Sequence, residues 1–288
     1  MQTDIAVAAL RRAAAAHGVG LDVEVVPVST AGDRDKVRPI AELGPRGVFA
    51  AELQRALLDG AVDVAVHSLK DLPGVEPPGL ELAAFPQRAD AADVLVSRDG
   101  SLLTELPSGA RVGTSSSRRV ALLAVLRPDL VAVPIRGNVG TRIAKVDAGD
   151  YDGAVLAAAG LDRLGVSDRI SERLDPEVFV PSPGQGALAI ERRTGELAWI
   201  ADAGDPDTTE AVAAERRFMV AVEAGCEMPV GAWARRVEGE LTLDGFVGDP
   251  DGRAHYRGRI EGDDPDELGA ELARRLLASG AADLIADR

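Results

Sequence analysis

Asp71 is the first residue of the chain whose type and position could support catalysis. It lies in residues 66–73, which read Val-His-Ser-Leu-Lys-Asp-Leu-Pro and end the mainly apolar run that starts at residue 62. Such a run is typical of a buried strand in a parallel α/β sheet, and ligands of these sheets bind beyond the carboxyl ends of the strands. We therefore expect this strand to present Ser68, Lys70 and Asp71 to a cleft. The plainer alternative is a surface ion pair between Lys70 and Asp71 in a turn.

Two later segments have the composition of an anion-binding site. Residues 113–119 read Gly-Thr-Ser-Ser-Ser-Arg-Arg and residues 136–142 read Arg-Gly-Asn-Val-Gly-Thr-Arg, each between a predicted strand and a predicted helix. Backbone N–H groups, hydroxyls and guanidinium groups then meet at a helix N-terminus, where anions bind. Residues 113–142 contain five arginines and one acidic residue, in a chain of net charge −15. Carboxylates fit better than a phosphate, because neither segment has the Gly-x-x-x-x-Gly-Lys pattern; the alternative is that the arginines only solvate helix faces.

Cys226 is the single cysteine, which excludes an intrachain disulfide and a cysteine-cluster metal site. It follows a predicted helix, in residues 225–231, Gly-Cys-Glu-Met-Pro-Val-Gly. The negative end of a helix and the neighbouring Glu227 disfavour a thiolate, so Cys226 suits a covalent anchor formed once better than a nucleophile used in every turnover. The alternative is a small buried hydrophobic residue. No metal site is predicted, because the three histidines are scattered, at His17, His67 and His255.

The elements that must position these residues follow an α/β pattern. Apolar spacing predicts helices over residues 4–16, 48–59, 117–126, 141–148 and 208–223. Strands are predicted over residues 21–28, 61–67, 80–84, 94–96, 110–112, 131–135, 154–156 and 187–190. Turn-rich residues 85–88 and 181–186 read as two crossings between lobes, which would form a hinge with a cleft. We expect one lobe from residues 1–86 and 184–204 and a second from residues 87–183.

A small C-terminal α/β domain is expected from residues 205–288. Leu241, Leu243 and Phe246 alternate along the first strand of a predicted antiparallel hairpin, which returns over residues 253–260. The final helix has an N-cap at Asp264, and Gly280 ends it.

Bulk composition narrows the class of protein. The 288 residues allow two or three domains, and 46% are hydrophobic but only 3% aromatic. The charge of −15 argues against binding to nucleic acid or anionic membranes. No apolar run approaches the length of a membrane span and no signal-peptide pattern is present, so we expect a cytoplasmic protein.

Four of these segments together resemble the hydroxymethylbilane synthase family, also called porphobilinogen deaminase. They occur in the family's order and spacing, and the likeness extends from about residue 19 to the C-terminus: residues 66–73, 112–119, 136–142 and 225–231. The resemblance implies two lobes like those of type II periplasmic binding proteins, and a small third domain. It also implies a transferase that joins four porphobilinogen molecules head to tail, each losing ammonia, on a dipyrromethane cofactor. Monomers are typical of the family.

The resemblance also implies individual roles. Asp71 matches the catalytic aspartate, whose carboxylate would lie against pyrrole N–H groups, stabilise the cation left after ammonia departs and help remove a proton. Cys226 matches the residue that holds dipyrromethane by a thioether. The positions matching cofactor and substrate binding are Ser68, Lys70, Thr114, Ser115, Ser116, Arg118, Arg119, Arg136, Arg142 and Gln185. Because each porphobilinogen carries an acetate and a propionate, a growing product accumulates the negative charge that arginines would neutralise.

The sequence departs from the family pattern at its start. The family begins with a strand that ends in Arg-x-Ser-x-Leu-Ala, whereas residues 1–3 enter directly into the next helix. A misassigned start codon is the interpretation we favour; without that strand, poor stability and little activity are expected. Pro45 and Arg46 stand where Gly-Lys is frequent, and Ala51 stands where lysine is common. The alternatives to the synthase are a non-catalytic two-lobed carboxylate-binding protein and an inactive truncated paralogue.

Overall fold

The computed structural model describes residues 1–28, 50–222 and 228–286. Its helices are α1 (Gln2–Ala16), α2 (Ala51–Leu58), α3 (Ser117–Leu126), α4 (Val139–Asp147), α5 (Ala158–Leu164), α6 (Pro206–Ala221), α7 (Pro265–Leu276) and α8 (Ala282–Ala286). Its strands are β1 (Val64–Ser68), β2 (Leu80–Ala84), β3 (Asp93–Ser97), β4 (Arg111–Gly113), β5 (Val131–Val133), β6 (Gly153–Ala157), β7 (Glu172–Arg173), β8 (Leu188–Arg193), β9 (Val230–Val237), β10 (Glu240–Gly248) and β11 (His255–Gly262). No helix in these ranges is long and apolar enough to cross a membrane.

The first lobe is built on a three-stranded sheet of order β1-β8-β2. Helix α1 buries Ala6, Ala9 and Ala13 at helical spacing, and these small side chains let it pack closely on Ile190 of β8. The sequence pattern predicted this helix correctly. Both β1 and β2 pair antiparallel with β8. We expected β1 to lie in a parallel sheet, but the strand that it pairs with in the described part of the chain, β8, is antiparallel to it. Residues along β1 alternate between half-buried and buried.

The strand predicted over residues 21–28 is absent. None of the described strands pairs with this segment, and Val25 and Val26 are 58% and 49% exposed. A strand forms only when a neighbouring strand takes up its backbone hydrogen bonds, so β-branched composition alone does not produce one. Helix α2 is shorter than the predicted 48–59, and residues 48 and 49 lie outside the described part of the chain.

The second lobe is built on a five-stranded mixed sheet of order β5-β4-β6-β3-β7. Strand β4 runs parallel to β5 and β6, whereas β3 is antiparallel to β6 and β7. The chain passes from the first sheet to this one between β2 and β3 and returns between β7 and β8, and the two segments predicted to cross between lobes lie in these connections. Helix α5 was not predicted, because the alanine-rich residues 154–160 continue from strand into helix without a turn residue.

The C-terminal domain has an antiparallel sheet of order β11-β10-β9, covered by α6 and α7. Leu243 and Phe218 are fully buried between sheet and helices. The predicted hairpin and the Asp264 cap are confirmed, since the Asp264 side chain accepts a hydrogen bond from the Glu267 N–H. Strand β9 was missed because its buried positions are mostly glycine and alanine, which give little alternation in hydrophobicity. Gly280 breaks the last helix at φ 118°, but α8 follows it.

Candidate active site

A single 3₁₀ turn, Leu69–Asp71, extends β1 at the edge of the first lobe. Leu69 and Leu72 are buried on either side of it, and the Leu69 N–H donates to the Ala187 carbonyl at 3.1 Å. Lys70 is half-buried and Asp71 is exposed between the two buried leucines. The turn therefore holds two charged side chains on an anchored backbone, as the sequence predicted for a strand end.

A buried polar group braces the strand behind this turn. The Nε2 of His67 lies 2.9 Å from Oε2 of Glu191 on β8, and Gln54 of α2 donates to the other carboxylate oxygen at 3.0 Å. Both His67 and Glu191 are buried. Ser68, the last residue of β1, accepts a hydrogen bond from Gln2 at 3.0 Å. These contacts tie β1 to β8 and α1, and α2 is joined to them through Glu191.

The two predicted anion-binding segments lie side by side in the second lobe. Strand β4 leads into residues 114–116 and α3, and β5 leads into residues 134–138 and α4. The hydroxyl of Ser115 donates to the Ile135 carbonyl at 2.8 Å and accepts from the Ile135 N–H at 3.1 Å, which joins the segments. Because β4 and β5 are parallel neighbours, their carboxyl ends bring both helix N-termini to the same edge of the sheet.

Arg118 and Arg119, at the start of α3, share one buried carboxylate. Asp93 of β3 is fully buried; its Oδ1 accepts from Nε and Nη2 of Arg119 at 3.0 and 2.6 Å, and its Oδ2 lies 2.7 Å from Nη2 of Arg118. Both arginines also donate to backbone carbonyls. Nη1 of Arg118 donates to the Val180 carbonyl at 2.7 Å, and Nη1 of Arg119 donates to the Val155 carbonyl at 2.8 Å. Burial raises the pKa of Asp93, but the two arginines outweigh it and lower that pKa to about 2. The arginines predicted to bind ligand carboxylates are thus oriented by a carboxylate of the protein.

Arg136 and Arg142 extend this positive region from the second segment. The Nε of Arg142 donates to the Gly137 carbonyl at 2.8 Å, and the Asn138 side chain caps α4 by accepting from the Thr141 N–H at 2.9 Å. Burial lowers the pKa of Arg142, and the nearby charges of Arg119 and Arg136 lower it further. Arg142 therefore lies near the positive charges of both Arg119 and Arg136.

Lys70 connects the two lobes. Its Nζ lies 3.5 Å from Oε1 of Gln185, in the segment that returns to the first lobe. Burial lowers the pKa of Lys70 to about 8; Asp71 and Asp93 raise it, whereas Arg119 and Arg118 lower it. The turn is linked to the Arg118–Arg119 pair through Gln185, whose Nε2 donates to Asp93 at 2.9 Å.

Gln185 is almost fully buried, and both ends of its amide have protein partners. Its Nε2 donates to the Ala91 carbonyl at 2.7 Å and to Asp93 at 2.9 Å. Among the other predicted positions, Thr114 is buried, Ser116 is half-buried and Ser115 is exposed. Cys226 lies outside the described residues.

A second buried carboxylate joins the two crossings to the C-terminal domain. Glu215 of α6 binds Nη1 and Nη2 of Arg88 at 2.6 and 3.1 Å, and it also accepts from the backbone N–H groups of Gly184 and Ala234 at 2.7 and 2.8 Å. Arg88 in turn donates from Nε to the Gln185 carbonyl at 2.8 Å. Sequence reasoning missed both Asp93 and Glu215, because an isolated acidic residue carries no signal that it will be buried against an arginine far along the chain.

Comparison with known proteins agrees with this arrangement. Residues 1–200 match the family described as "Porphobilinogen deaminase, dipyromethane cofactor binding domain", and residues 209–278 match "Porphobilinogen deaminase, C-terminal domain". The porphobilinogen deaminase of Acidothermus cellulolyticus is 48% identical over 95% of this chain and 85% of its own length. That of Roseiflexus castenholzii is 46% identical over 96% of this chain and 93% of its own.

A likeness to a solved structure is weaker. The VFT2 domain of Bordetella pertussis BvgS matches with a TM-score of 0.41 and 19% identity, over 74% of this chain and 82% of that one. A TM-score this low assigns neither a fold nor a function. The matches to both domains and the identity to relatives along nearly the whole chain are decisive: the chain belongs to the porphobilinogen deaminase family, the transferases that make hydroxymethylbilane on a dipyrromethane cofactor.

Proposed function

We propose that the condensation of porphobilinogen by this enzyme takes place between the Leu69–Asp71 turn of the first lobe and the two arginine segments of the second. One observation carries this assignment: Lys70 and the Arg118–Arg119 pair, predicted from separate motifs, are linked by polar contacts through Gln185 and the buried Asp93. Five cations are proposed to line this region: Lys70, Arg118, Arg119, Arg136 and Arg142. The buried Asp93 is the counter-ion of Arg118 and Arg119.

The residues of this region fit a dipyrromethane, whose pyrroles carry carboxylate side chains. Burial lowers the pKa of Arg142, and the charges of Arg119 and Arg136 lower it further, so a carboxylate ligand placed among these guanidinium groups would be favoured. Such carboxylates would be held by Lys70, Arg118, Arg119, Arg136 and Arg142, with hydroxyl donors from Thr114 and Ser116. The Ser115 hydroxyl, also predicted to bind, donates to the Ile135 carbonyl in this structure. When bound, the dipyrromethane supplies the pyrrole carbon to which the first porphobilinogen is joined.

Asp71 is proposed as the catalytic residue. It is exposed at the end of an anchored turn, beside the half-buried Lys70. Its carboxylate can accept a hydrogen bond from a pyrrole N–H, stabilise positive charge that develops on the substrate when ammonia leaves, and take up the proton lost after coupling. Ser68, three residues before Asp71, and Gln185, whose Oε1 lies 3.5 Å from Nζ of Lys70, are proposed binding residues.

Cys226 is proposed as the covalent anchor of the cofactor through a thioether. Helix α6 ends at Ala221 and β9 begins at Val230, so Cys226 belongs to the connection between them. Helix α6 also carries Glu215, which binds the segments between the lobes.

The test replaces Asp71 by Asn in the cofactor-loaded enzyme. Loss of the carboxylate should lower kcat by at least about 100-fold, the usual range for a positioned acid or base. Asp63→Asn is the matched control, because Asp63 is exposed and its partner is Arg193, away from the turn. Hydroxymethylbilane formation is measured by oxidation to porphyrin and its absorbance, and intact-mass spectrometry reports the cofactor adduct. Normal turnover by Asp71→Asn would exclude the catalytic role.

A non-catalytic carboxylate-binding protein is the competing function. The wild type and Cys226→Ser separate the two functions. A synthase carries a covalent adduct and turns over as the wild type, and Cys226→Ser should lose both. A binding protein would show neither adduct nor turnover even as the wild type. We also propose that the enzyme acts as a monomer in the cytoplasm and binds no nucleic acid, in keeping with its charge of −15.

A further inference from the structure

Asp93 occupies a position that the proposed chemistry does not explain. It is the first residue of β3, just after the chain crosses into the second lobe, and its side chain is completely buried. A buried carboxylate is unfavourable unless it is paired and hydrogen-bonded, so its partners indicate its role. Those partners are Arg118, Arg119 and Gln185, all of them predicted ligand-binding residues.

The contacts of Asp93 fix the directions of two guanidinium groups. Arg119 binds Oδ1 with two of its nitrogens, and a third nitrogen donates to the Val155 carbonyl at 2.8 Å. Arg118 approaches Oδ2 at 2.7 Å and donates to the Val180 carbonyl at the same distance. An arginine side chain loses considerable rotational freedom when it binds a ligand, and a guanidinium already held in one orientation has less freedom left to lose.

The same carboxylate reaches the first lobe through Gln185. The Gln185 Nε2 donates to Asp93 at 2.9 Å, and its Oε1 lies 3.5 Å from Nζ of Lys70, the neighbour of Asp71. Arg88 holds the Gln185 backbone by donating to its carbonyl at 2.8 Å. A continuous chain of polar contacts therefore runs from Arg119 through Asp93 and Gln185 to Lys70.

We propose that Asp93 is a positioning residue of the reaction, whose buried carboxylate holds the guanidinium groups of Arg118 and Arg119 and, through Gln185, the ammonium group of Lys70 in one arrangement across the boundary between the lobes. This inference rests on the proposed function of those three cations as carboxylate ligands. Asp93 itself, being fully buried, does not contact substrate. Its charge also favours the protonated form of Lys70, together with Asp71 and against Arg118 and Arg119.

The first experiment compares Asp93→Asn with wild type as the cofactor-loaded enzyme. Misaligned guanidinium groups should raise KM for porphobilinogen by at least about tenfold, or about 1.4 kcal/mol. Asp147→Asn is the control, because it removes an exposed partner of Arg169 elsewhere in the second lobe. A purely structural role would reduce the amount of folded enzyme, and so the apparent kcat, without changing KM.

The second readout does not depend on turnover. The chain has three lysines, Lys36, Lys70 and Lys145, so labelling with an amine-reactive ester can be followed for each by peptide mass spectrometry. Loss of the Asp93 charge should move the labelling midpoint of Lys70 to lower pH and leave Lys145, bonded to the Arg136 carbonyl, as the internal reference. If Lys70, Arg118 and Arg119 do not bind substrate carboxylates, the KM of Asp93→Asn will equal that of wild type, while the labelling midpoint of Lys70 still moves.

Two results would overturn the inference. One is a folded Asp93→Asn enzyme whose KM stays within about twofold of wild type while Arg119→Met raises KM about tenfold. The other is an unmoved Lys70 midpoint. If Asp93→Asn does not fold, the variant Gln185→Met tests the inference instead. This substitution keeps the contacts between Asp93 and the two arginines but removes the link from Asp93 to Lys70. We expect it to raise KM and change the Lys70 labelling; wild-type values for both would reject the link.

Discussion

Glu215 should be among the carboxylates whose loss destabilises this enzyme most. Its side chain is fully buried and accepts four hydrogen bonds, two from Arg88 and one each from the N–H groups of Gly184 and Ala234. In Glu215→Gln the amide NH₂ would face at least one of these donors, and the Arg88 charge would lose its counter-ion. Breaking a buried pair in this way usually lowers the free energy of unfolding by about 3–5 kcal/mol. That is a large fraction of the total of about 5–15 kcal/mol typical of folded proteins.

The control lies on the same helix. Glu210 forms an ion pair with Arg236, but their side chains are 37% and 33% exposed. An exposed pair contributes about 0–1 kcal/mol, so Glu210→Gln, the same chemical change, should have little effect. The comparison therefore separates burial of the pair from any general effect of replacing glutamate on α6.

Urea unfolding measures both variants, followed by far-ultraviolet circular dichroism and by the fluorescence of Trp199 and Trp233, which lie in the first lobe and in β9. Glu215→Gln should shift the urea midpoint well below that of Glu210→Gln. Arg88→Met should produce a loss of similar size, and the double variant should lose less than the sum of the two single changes, since they share one interaction. Equal losses for Glu215→Gln and Glu210→Gln, or additive losses in the cycle, would refute the reasoning.

Two further predictions follow from the perturbed pKa values. Lys70, with a pKa of about 8, should lose its charge as the pH rises through 8, so KM should increase there; Lys70→Arg, which stays charged, should abolish this alkaline increase in a KM–pH profile. Asp93 has a pKa of about 2 against 3.8 for a free carboxyl, so its contribution of about 2 kcal/mol is present above pH 4 and disappears as the pH falls towards 2. Urea midpoints of wild type and Asp93→Asn, compared between pH 5 and 2, should therefore converge in acid.

Local patterns predicted the parts of the fold that depend on local chemistry. Helix α3 was predicted with its observed bounds, Ser117–Leu126, because its apolar periodicity follows a polar N-terminal segment. Strand β2, Leu80–Ala84, was also correct. The strand predicted over residues 21–28 was wrong because a strand depends on a partner as well as on local composition. Its valines are typical of a strand, but none of the described strands forms hydrogen bonds with it. The boundaries of the three domains remain a prediction.

The site shows the same division. The ends of β1, β4 and β5 could be identified from the sequence because polar residues follow apolar runs, and the structure brings these ends together. What could not be predicted is how the charges pair. Arg118 and Arg119 are separated from Asp93 by more than 20 residues of chain, and their mutual contact depends on how β3, β6 and α3 pack. Motif reasoning assigned both arginines wholly to ligand, whereas part of their hydrogen-bonding capacity is used within the protein.

The turn at residues 184–186 explains why we place the proposed site at this boundary. The N–H of Gly184 binds Glu215 of the C-terminal domain, the side chain of Gln185 contacts Asp93 of the second lobe and Lys70 of the first, and the Gly186 carbonyl accepts from Arg163 at 2.9 Å. Gly186 has φ 86°, and a Cβ there would lie 2.5 Å from the Ala89 carbonyl oxygen, so the two crossings touch backbone to backbone. Three consecutive residues thus contact all three parts of the chain. We therefore expect a carboxylate bound to Arg119 to act on Lys70 through Asp93 and Gln185, a chain of contacts that includes this turn.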